Sequence, residues 1–127
     1  EPYRRQRQMC IRDREYGPTL TVTTADGVRA LAYAELEYLE CTHHIVHFHL
    51  LSGEDVTSLS LRVPFSAVAG PLLADGRFLQ PHRSYVVSLA AVRLLSAGEL
   101  QMTSGARVPI PRGREGAVRE AIRAWYR

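Results

Sequence analysis

Apolar and polar residues alternate in short runs along most of the chain, the pattern of β-strands that bury one face. Strands are predicted on this basis at 19–24, 28–33, 35–41, 45–51, 56–62, 84–89, 91–95, 99–103 and 107–111. Asp26-Gly27 predicts the bend of a first hairpin, since this pair suits a tight turn, and the run SGED predicts a second. Strands therefore dominate the predicted fold.

The run ELEYLEC (35–41) is an unusual strand because it carries three glutamates. They stand against Leu36 and Tyr38 in the alternation, so we expect this strand to be half-buried at best. Only the segment THH separates it from the next strand. A connection this short and polar is expected to project its side chains outward.

Two stretches change to a helical pattern. Ser66, before AVAG, is the predicted N-cap of a helix that Gly70 and Pro71 keep short or interrupt. Residues 113–127 predict a short amphipathic helix that covers the sheets. Its apolar face consists of Ala117, Val118, Ala121, Ile122 and Trp125. The predicted class is therefore all-β, mainly antiparallel, with one short internal helix and a short C-terminal helix.

The first fourteen residues do not fit this pattern. They are rich in arginine and show neither helical nor strand periodicity. Codons for residues 9–13 can be written so that they resemble the transposon-end adapter of sequencing libraries. We therefore interpret 1–14 as a non-native stretch, with a basic linker arm as the alternative. Residues 15–127 then form one domain, large enough to bury its own core.

Charge is divided unevenly between the two halves of this domain. The chain has a formal net charge of +3, and all of its basic residues are arginines, five of them within 1–14. Residues 15–76 hold two arginines and eight acids, whereas residues 77–127 hold nine arginines and three acids. The second half is the candidate face for an anionic partner. An ordinary solvated surface can produce the same split.

The side chains that usually carry catalysis or hold metals form no recognisable motif. The spacing C-x-H-H-x-x-H-x-H that begins at Cys41 and includes His47 and His49 matches no closed zinc or copper set. A Gly-flanked serine elbow and a phosphate-cradling Gly loop are also missing from the sequence. Two cysteines give no disulfide framework. We expect no enzyme, no cofactor, and a reducing, cytoplasmic setting.

The segment FLQPHRSYVVSL (78–89), with ELEYLEC before it and RVPIPRGR after it, resembles the LytTR family of bacterial DNA-binding domains. Members of that family carry an acidic I.Y.E strand, an F.R.HRSY.VN segment and a closing V.R. The likeness extends in order over residues 18–126, and its middle segment is the most specific. It implies an elongated, sandwich-like all-β fold whose inter-strand loops, in place of a recognition helix, enter the grooves of DNA.

Three positions depart from the family pattern. Gln80-Pro81 stands where many members have a basic residue, Ser88 replaces the usual Asn, and Pro111 replaces the usual Ser. The two prolines put the local loop geometry in doubt, because proline removes a donor and fixes φ. The arginines of these loops are nevertheless retained.

Arg112 is the residue most strongly expected to read a base. Arginine can bind guanine O6 and N7 with two hydrogen bonds, and the following Gly113 gives the backbone latitude. An ordinary surface ion pair is its alternative role. The resemblance also places His43 or His44, with His44 preferred, where the family inserts a side chain into a major groove. A loop histidine without a special role is the alternative.

Three further residues are expected to contact DNA, and a fourth is expected to be structural. The resemblance makes Arg83 a third contact, near the intervening groove or its phosphates, while Ser84 can donate to a phosphate oxygen. Arg114 adds positive charge beside them. His82 is interpreted as structural, since strand alternation turns it toward the interior, away from the direction of Arg83, and its ring is expected to find a backbone partner there.

The expected function is sequence-specific binding of promoter direct repeats by the output domain of a bacterial transcription regulator. The resemblance implies an upstream receiver or membrane sensor, the latter adding a membrane tether, and two copies side by side on adjacent repeats. The alternative is a small β-sandwich module that binds protein by strand addition without DNA.

Overall fold

The structure of the protein, a computed structural model, describes residues 18–126. The predicted non-native stretch 1–14 lies outside these residues. The strands of the described part are β1 (Thr19–Thr24), β2 (Gly27–Ala32), β3 (Leu36–Thr42), β4 (Ile45–Leu50), β5 (Asp55–Thr57), β6 (Phe78–His82), β7 (Tyr85–Ser88), β8 (Val92–Ser96), β9 (Glu99–Met102) and β10 (Arg107–Pro109). The helices are α1 (Phe65–Leu73) and α2 (Glu115–Trp125). Neither helix is long and apolar enough to cross a membrane.

The strands form three antiparallel sheets, and the largest lies between two other layers. Its order is β5-β4-β3-β7-β6, while β1-β2 and β10-β9-β8 form the smaller sheets. Val86 and Val87 are neighbours in β7, and both are 0 % exposed because each faces a different core. The core of Val86 includes β1, β2 and Leu72 of α1. The core of Val87 includes β9, β10 and Val118 of α2. This architecture confirms the predicted fold class.

Strand β3 is the centre of the largest sheet, so the prediction that it is half-buried at best is wrong. It pairs with β4 on one side and with β7 on the other, and Leu39 is 0 % exposed. A register irregularity between Leu36 and Tyr38 accompanies the burial of Glu37, which is 2 % exposed. The Glu37 carboxylate accepts a hydrogen bond of 2.9 Å from the Ser104 N–H. A buried carboxylate needs such a partner, and this one ties β3 to the β9–β10 turn.

Strand β5 is shorter than the predicted strand 56–62. The chain leaves the ladder after Thr57 and crosses to other elements. The Leu59 N–H donates to the Thr23 carbonyl at 2.9 Å, and the Leu61 N–H donates to the His44 carbonyl at 2.6 Å. This crossing segment therefore links β1 to the turn that follows β3.

Both helices are present, but the predicted N-cap of the first is wrong. The N-cap position of α1 is Pro64, so Ser66 lies inside the helix. The helix continues through Pro71 and ends two residues later, since proline removes only one of its hydrogen bonds so close to the end. In α2, Val118 is 1 % exposed but Trp125 is 42 % exposed. The predicted apolar face of this helix is therefore only partly buried.

Candidate nucleic-acid interface

The turn between β3 and β4 consists of His43 and His44, and both side chains are exposed. Their φ angles are 51° and 65°. A two-residue turn of type I′ requires positive φ at both positions, a region where most non-glycine residues are uncommon. The hairpin therefore imposes this conformation and presents two imidazoles at the end of the sheet, as the short polar connection predicts.

The turn between β6 and β7 consists of Arg83 and Ser84, of which Arg83 is exposed and Ser84 is half-buried. The Ser84 N–H donates to His82 Nδ1 at 3.1 Å, and the rings of His82 and Tyr85 meet edge to face with centroids 5.5 Å apart. The structure thus gives His82 the backbone partner that its interpretation as a structural residue requires. Its ring is half-buried and holds the turn in place.

These two turns lie side by side at one end of the largest sheet. Strands β3 and β7 are antiparallel neighbours, with Glu40 opposite Tyr85. The Cys41 N–H donates to the Ser84 carbonyl at 2.8 Å and continues this pairing to the start of the β6–β7 turn. The end of β3 that leads into His43 is therefore adjacent to the start of β7.

A third turn, between β10 and α2, carries Arg112. The Arg114 N–H donates to the Pro111 carbonyl at 3.1 Å, and Gly113 has φ 93°, the conformation that glycine allows at the third position of a type II turn. Pro111 therefore supports the turn with its carbonyl, while Arg112 occupies the exposed corner. Arg114 Nη2 donates to the Gln80 carbonyl at 2.8 Å, which fixes this turn beside β6.

Arg62 is a basic residue of the same region that the sequence did not single out. It is exposed and directly follows Leu61, whose N–H bonds to the His44 carbonyl. The sequence assigns Arg62 to the acidic half, and its neighbourhood depends on the crossing segment after β5. No local signal predicts that this segment returns to the histidine turn.

Within residues 18–126, the arginines of the three turns and the crossing segment have no carboxylate partner, a property that they share with Arg93 and Arg119. Within residues 18–126, no ion pair involves Arg62, Arg83, Arg112 or Arg114. By contrast, Arg29 binds Glu54 through both terminal guanidinium nitrogens, with 2.8 Å between Nη2 and Oε1. The alternative role of Arg112 as half of a surface ion pair thus has no support from the described residues.

A patch of aromatic and acidic side chains extends along the same sheet. Tyr38 stacks on His49 with ring centroids 4.2 Å apart, and the Tyr85 hydroxyl donates to Glu40 Oε2 at 3.1 Å. Burial, together with the negative charge of Glu40, raises the pKa of Tyr38 to about 12. Burial also raises the pKa of Tyr85. Both phenols are therefore neutral at physiological pH and contribute packing without charge.

The histidines and the cysteine near this patch do not converge. His47 lies 3.3 Å from the Thr42 hydroxyl, and His49 Nδ1 lies 2.7 Å from Asp55 Oδ1. Cys41 is a free thiol whose pKa is raised by burial. Among residues 18–126, no three His, Cys, Asp or Glu side chains are placed to hold a metal ion. The spacing that begins at Cys41 therefore does not bring a set of metal ligands together within the described residues.

Comparison with known proteins bears directly on this arrangement. A family model described as the LytTr DNA-binding domain matches residues 26–123. The chain belongs to this family. The match includes the three turns that carry His44, Arg83 and Arg112. A search among curated proteins found no match.

A solved LytTr structure has the same fold. It is the LytTr DNA-binding domain of a putative methyl-accepting/DNA response regulator from Bacillus cereus. The TM-score is 0.63 with 22 % sequence identity, and the match covers 82 % of this chain and 95 % of that one. The LytTr assignment confirms the resemblance seen in the sequence. The roles of individual residues in the three turns stay predictions.

Proposed function

We propose that the domain reads double-stranded DNA through the end of the molecule where its three turns meet. The observation that supports this most directly is the convergence of turns from two layers, with exposed arginines that have no ion pair among the described residues. A guanidinium without a carboxylate partner is available to phosphate and to base edges. Function as a DNA-binding output domain agrees with membership of the LytTr family.

Each turn contacts a different part of the DNA, according to its geometry. Arg112 stands at the corner of a tight turn and reads guanine in a major groove with a bidentate contact. His44, with His43 beside it, enters a second stretch of groove from the β3–β4 turn. Arg83 lies between these two positions and contacts the intervening groove or its phosphates, with Ser84 as a hydroxyl donor.

Two more arginines add to the positive surface around these positions. Arg62 lies beside the histidine turn, where its exposed guanidinium contacts the phosphate backbone that flanks the groove entered by His44. Arg114 contributes positive charge next to Arg112. Together they extend the basic surface around the three turns, and Arg62 does so from the half of the sequence that is otherwise acidic.

The biological setting follows the family expectation. Residues 15–127 constitute the output domain of a transcription regulator, which recognises direct repeats in promoters with two copies side by side. Its activity is controlled by an upstream receiver or membrane sensor. The domain itself has no catalytic role in this proposal.

A salt titration tests the phosphate contacts. The slope of log K against log salt is negative. Its magnitude is expected to decrease by about 1 in Arg62→Ala and, separately, by about 1 in Arg83→Ala, since each arginine displaces counterions from one phosphate. Arg29→Ala is the matched control, because it removes the same charge from a residue already bound to Glu54. Affinity is measured by fluorescence anisotropy at several salt concentrations. Slopes equal to that of the wild type in both variants would contradict the proposed phosphate contacts.

A further inference from the structure

Strand β6 contains an irregularity next to the Arg83 turn. Its residues Leu79 and His82 pair with Val87 and Tyr85 of β7, so two residues of β6 stand opposite one residue of β7. A bulge of this kind leaves a backbone group outside the regular ladder. Here the carbonyl of Gln80 binds the guanidinium of Arg114 at 2.8 Å.

The side chain of the same glutamine binds the other turn. Gln80 Nε2 donates to the Arg83 carbonyl at 3.2 Å. Gln80 therefore accepts a hydrogen bond from the Arg112 turn with its backbone and donates one to the Arg83 turn with its side chain. The turns belong to different layers of the fold, one to the largest sheet and one to the connection between β10 and α2.

We infer that Gln80 and Arg114 form a clamp that sets the position of Arg112 relative to Arg83. This inference rests on the proposed function, because the clamp matters for DNA only if these two arginines contact it. Arg114 is then a positioning residue, with one guanidinium nitrogen committed to Gln80. A preorganised pair of contacts binds without the cost of ordering two independent loops.

The chemistry of Arg114 makes the clamp distinguishable from a phosphate contact. A guanidinium can donate to the Gln80 carbonyl from a fixed, planar fork, whereas a lysine ammonium is a compact point charge on a flexible stem. Lysine would serve nearly as well as arginine for a phosphate. It would not reproduce the directed bond of 2.8 Å to a backbone carbonyl.

Two readouts test the clamp, one of which needs no DNA. Backbone 15N relaxation of the free protein is expected to show lower order parameters at Arg112 and Gly113 in Arg114→Lys. In Gln80→Ala the loss is expected at Arg83, since the backbone carbonyl that Arg114 uses is retained. Gln101→Ala is the control for loss of a glutamine side chain, because Gln101 is half-buried on β9 and its side chain has no hydrogen bond within residues 18–126. The His43–His44 turn should be unchanged in all three variants.

The DNA readout is discrimination at the base pair that Arg112 reads. Arg114→Lys and Gln80→Ala are each expected to reduce it by about 2- to 10-fold, the equivalent of one hydrogen bond, with an unchanged salt slope. The clamp would be overturned if Arg114→Lys kept both its order parameters and its full affinity while Arg114→Ala showed a smaller salt slope. Arg114 would then be a phosphate ligand. If the wild type binds no DNA, the proposed function fails, and the order parameters still decide whether the clamp exists.

Discussion

Replacing Arg112 by alanine is expected to cost about 1–3 kcal/mol of discrimination at one base pair while leaving the other positions of the site unaffected. The reason is the geometry of its turn. Gly113, with φ 93°, allows the tight bend, and the exposed Arg112 has no ion-pair partner among residues 18–126. A bidentate contact to guanine is lost when the guanidinium is removed, and no neighbouring side chain at that corner replaces it.

The measurement is competition binding with the preferred site and with each single base-pair substitution of it. Arg123→Ala is a suitable control, because it removes an equal charge from the last turn of α2, where Arg123 pairs with Glu120. This control should keep the full sequence preference. A uniform loss of affinity over all sequences in Arg112→Ala would show that Arg112 touches phosphate and does not read a base.

Replacing Leu39 by alanine is expected to lower the free energy of unfolding by about 2–5 kcal/mol. Leu39 is 0 % exposed at the centre of the largest sheet, between Phe48 of β4 and Val86 of β7. Truncation removes apolar contacts and leaves a cavity that two flanking strands cannot easily close. Since small domains are stable by only about 5–15 kcal/mol, this is a large share of the total.

Urea unfolding followed by circular dichroism measures this loss. The matched control is Leu94→Ala, because Leu94 is 51 % exposed on β8 and its truncation should change the free energy of unfolding by less than about 0.5 kcal/mol. Similar values for the two variants would contradict the central position of β3. That outcome would instead agree with the half-buried strand expected from the alternation of ELEYLEC.

The hairpins of the fold are the part that the sequence predicts best. A tight turn lies between β1 and β2 as predicted, but it consists of Ala25 and Asp26, and Gly27 is already the first residue of β2. Strand β6 is not predicted, because Gln80-Pro81 interrupts its alternation at the bulge. The burial of Glu37 is also outside local prediction, since it depends on a register irregularity and on a turn far along the chain.

In the candidate site, too, local sequence patterns predict some residues, whereas others depend on contacts between distant parts of the chain. Resemblance to the LytTR family predicts Arg83, Arg112 and the histidine turn as DNA contacts from short motifs. It does not identify Arg62, because only the crossing segment after β5 brings that residue next to His44. Nor does it reveal that Gln80 joins two turns, since both hydrogen bonds depend on the bulge and on packing between layers. Local patterns therefore predict the loops, and long-range contacts determine their arrangement.

The most direct test of the account is selection from a random duplex-DNA library, followed by titration of the winning sequence at two salt concentrations. The full chain and residues 15–127 are used in parallel, so that the arginine-rich stretch 1–14 can be judged separately. One enriched motif is expected for both, with affinity that falls steeply as salt rises. Absence of enrichment with folded protein at low salt would contradict this account, and binding of a protein partner by strand addition would become the leading explanation.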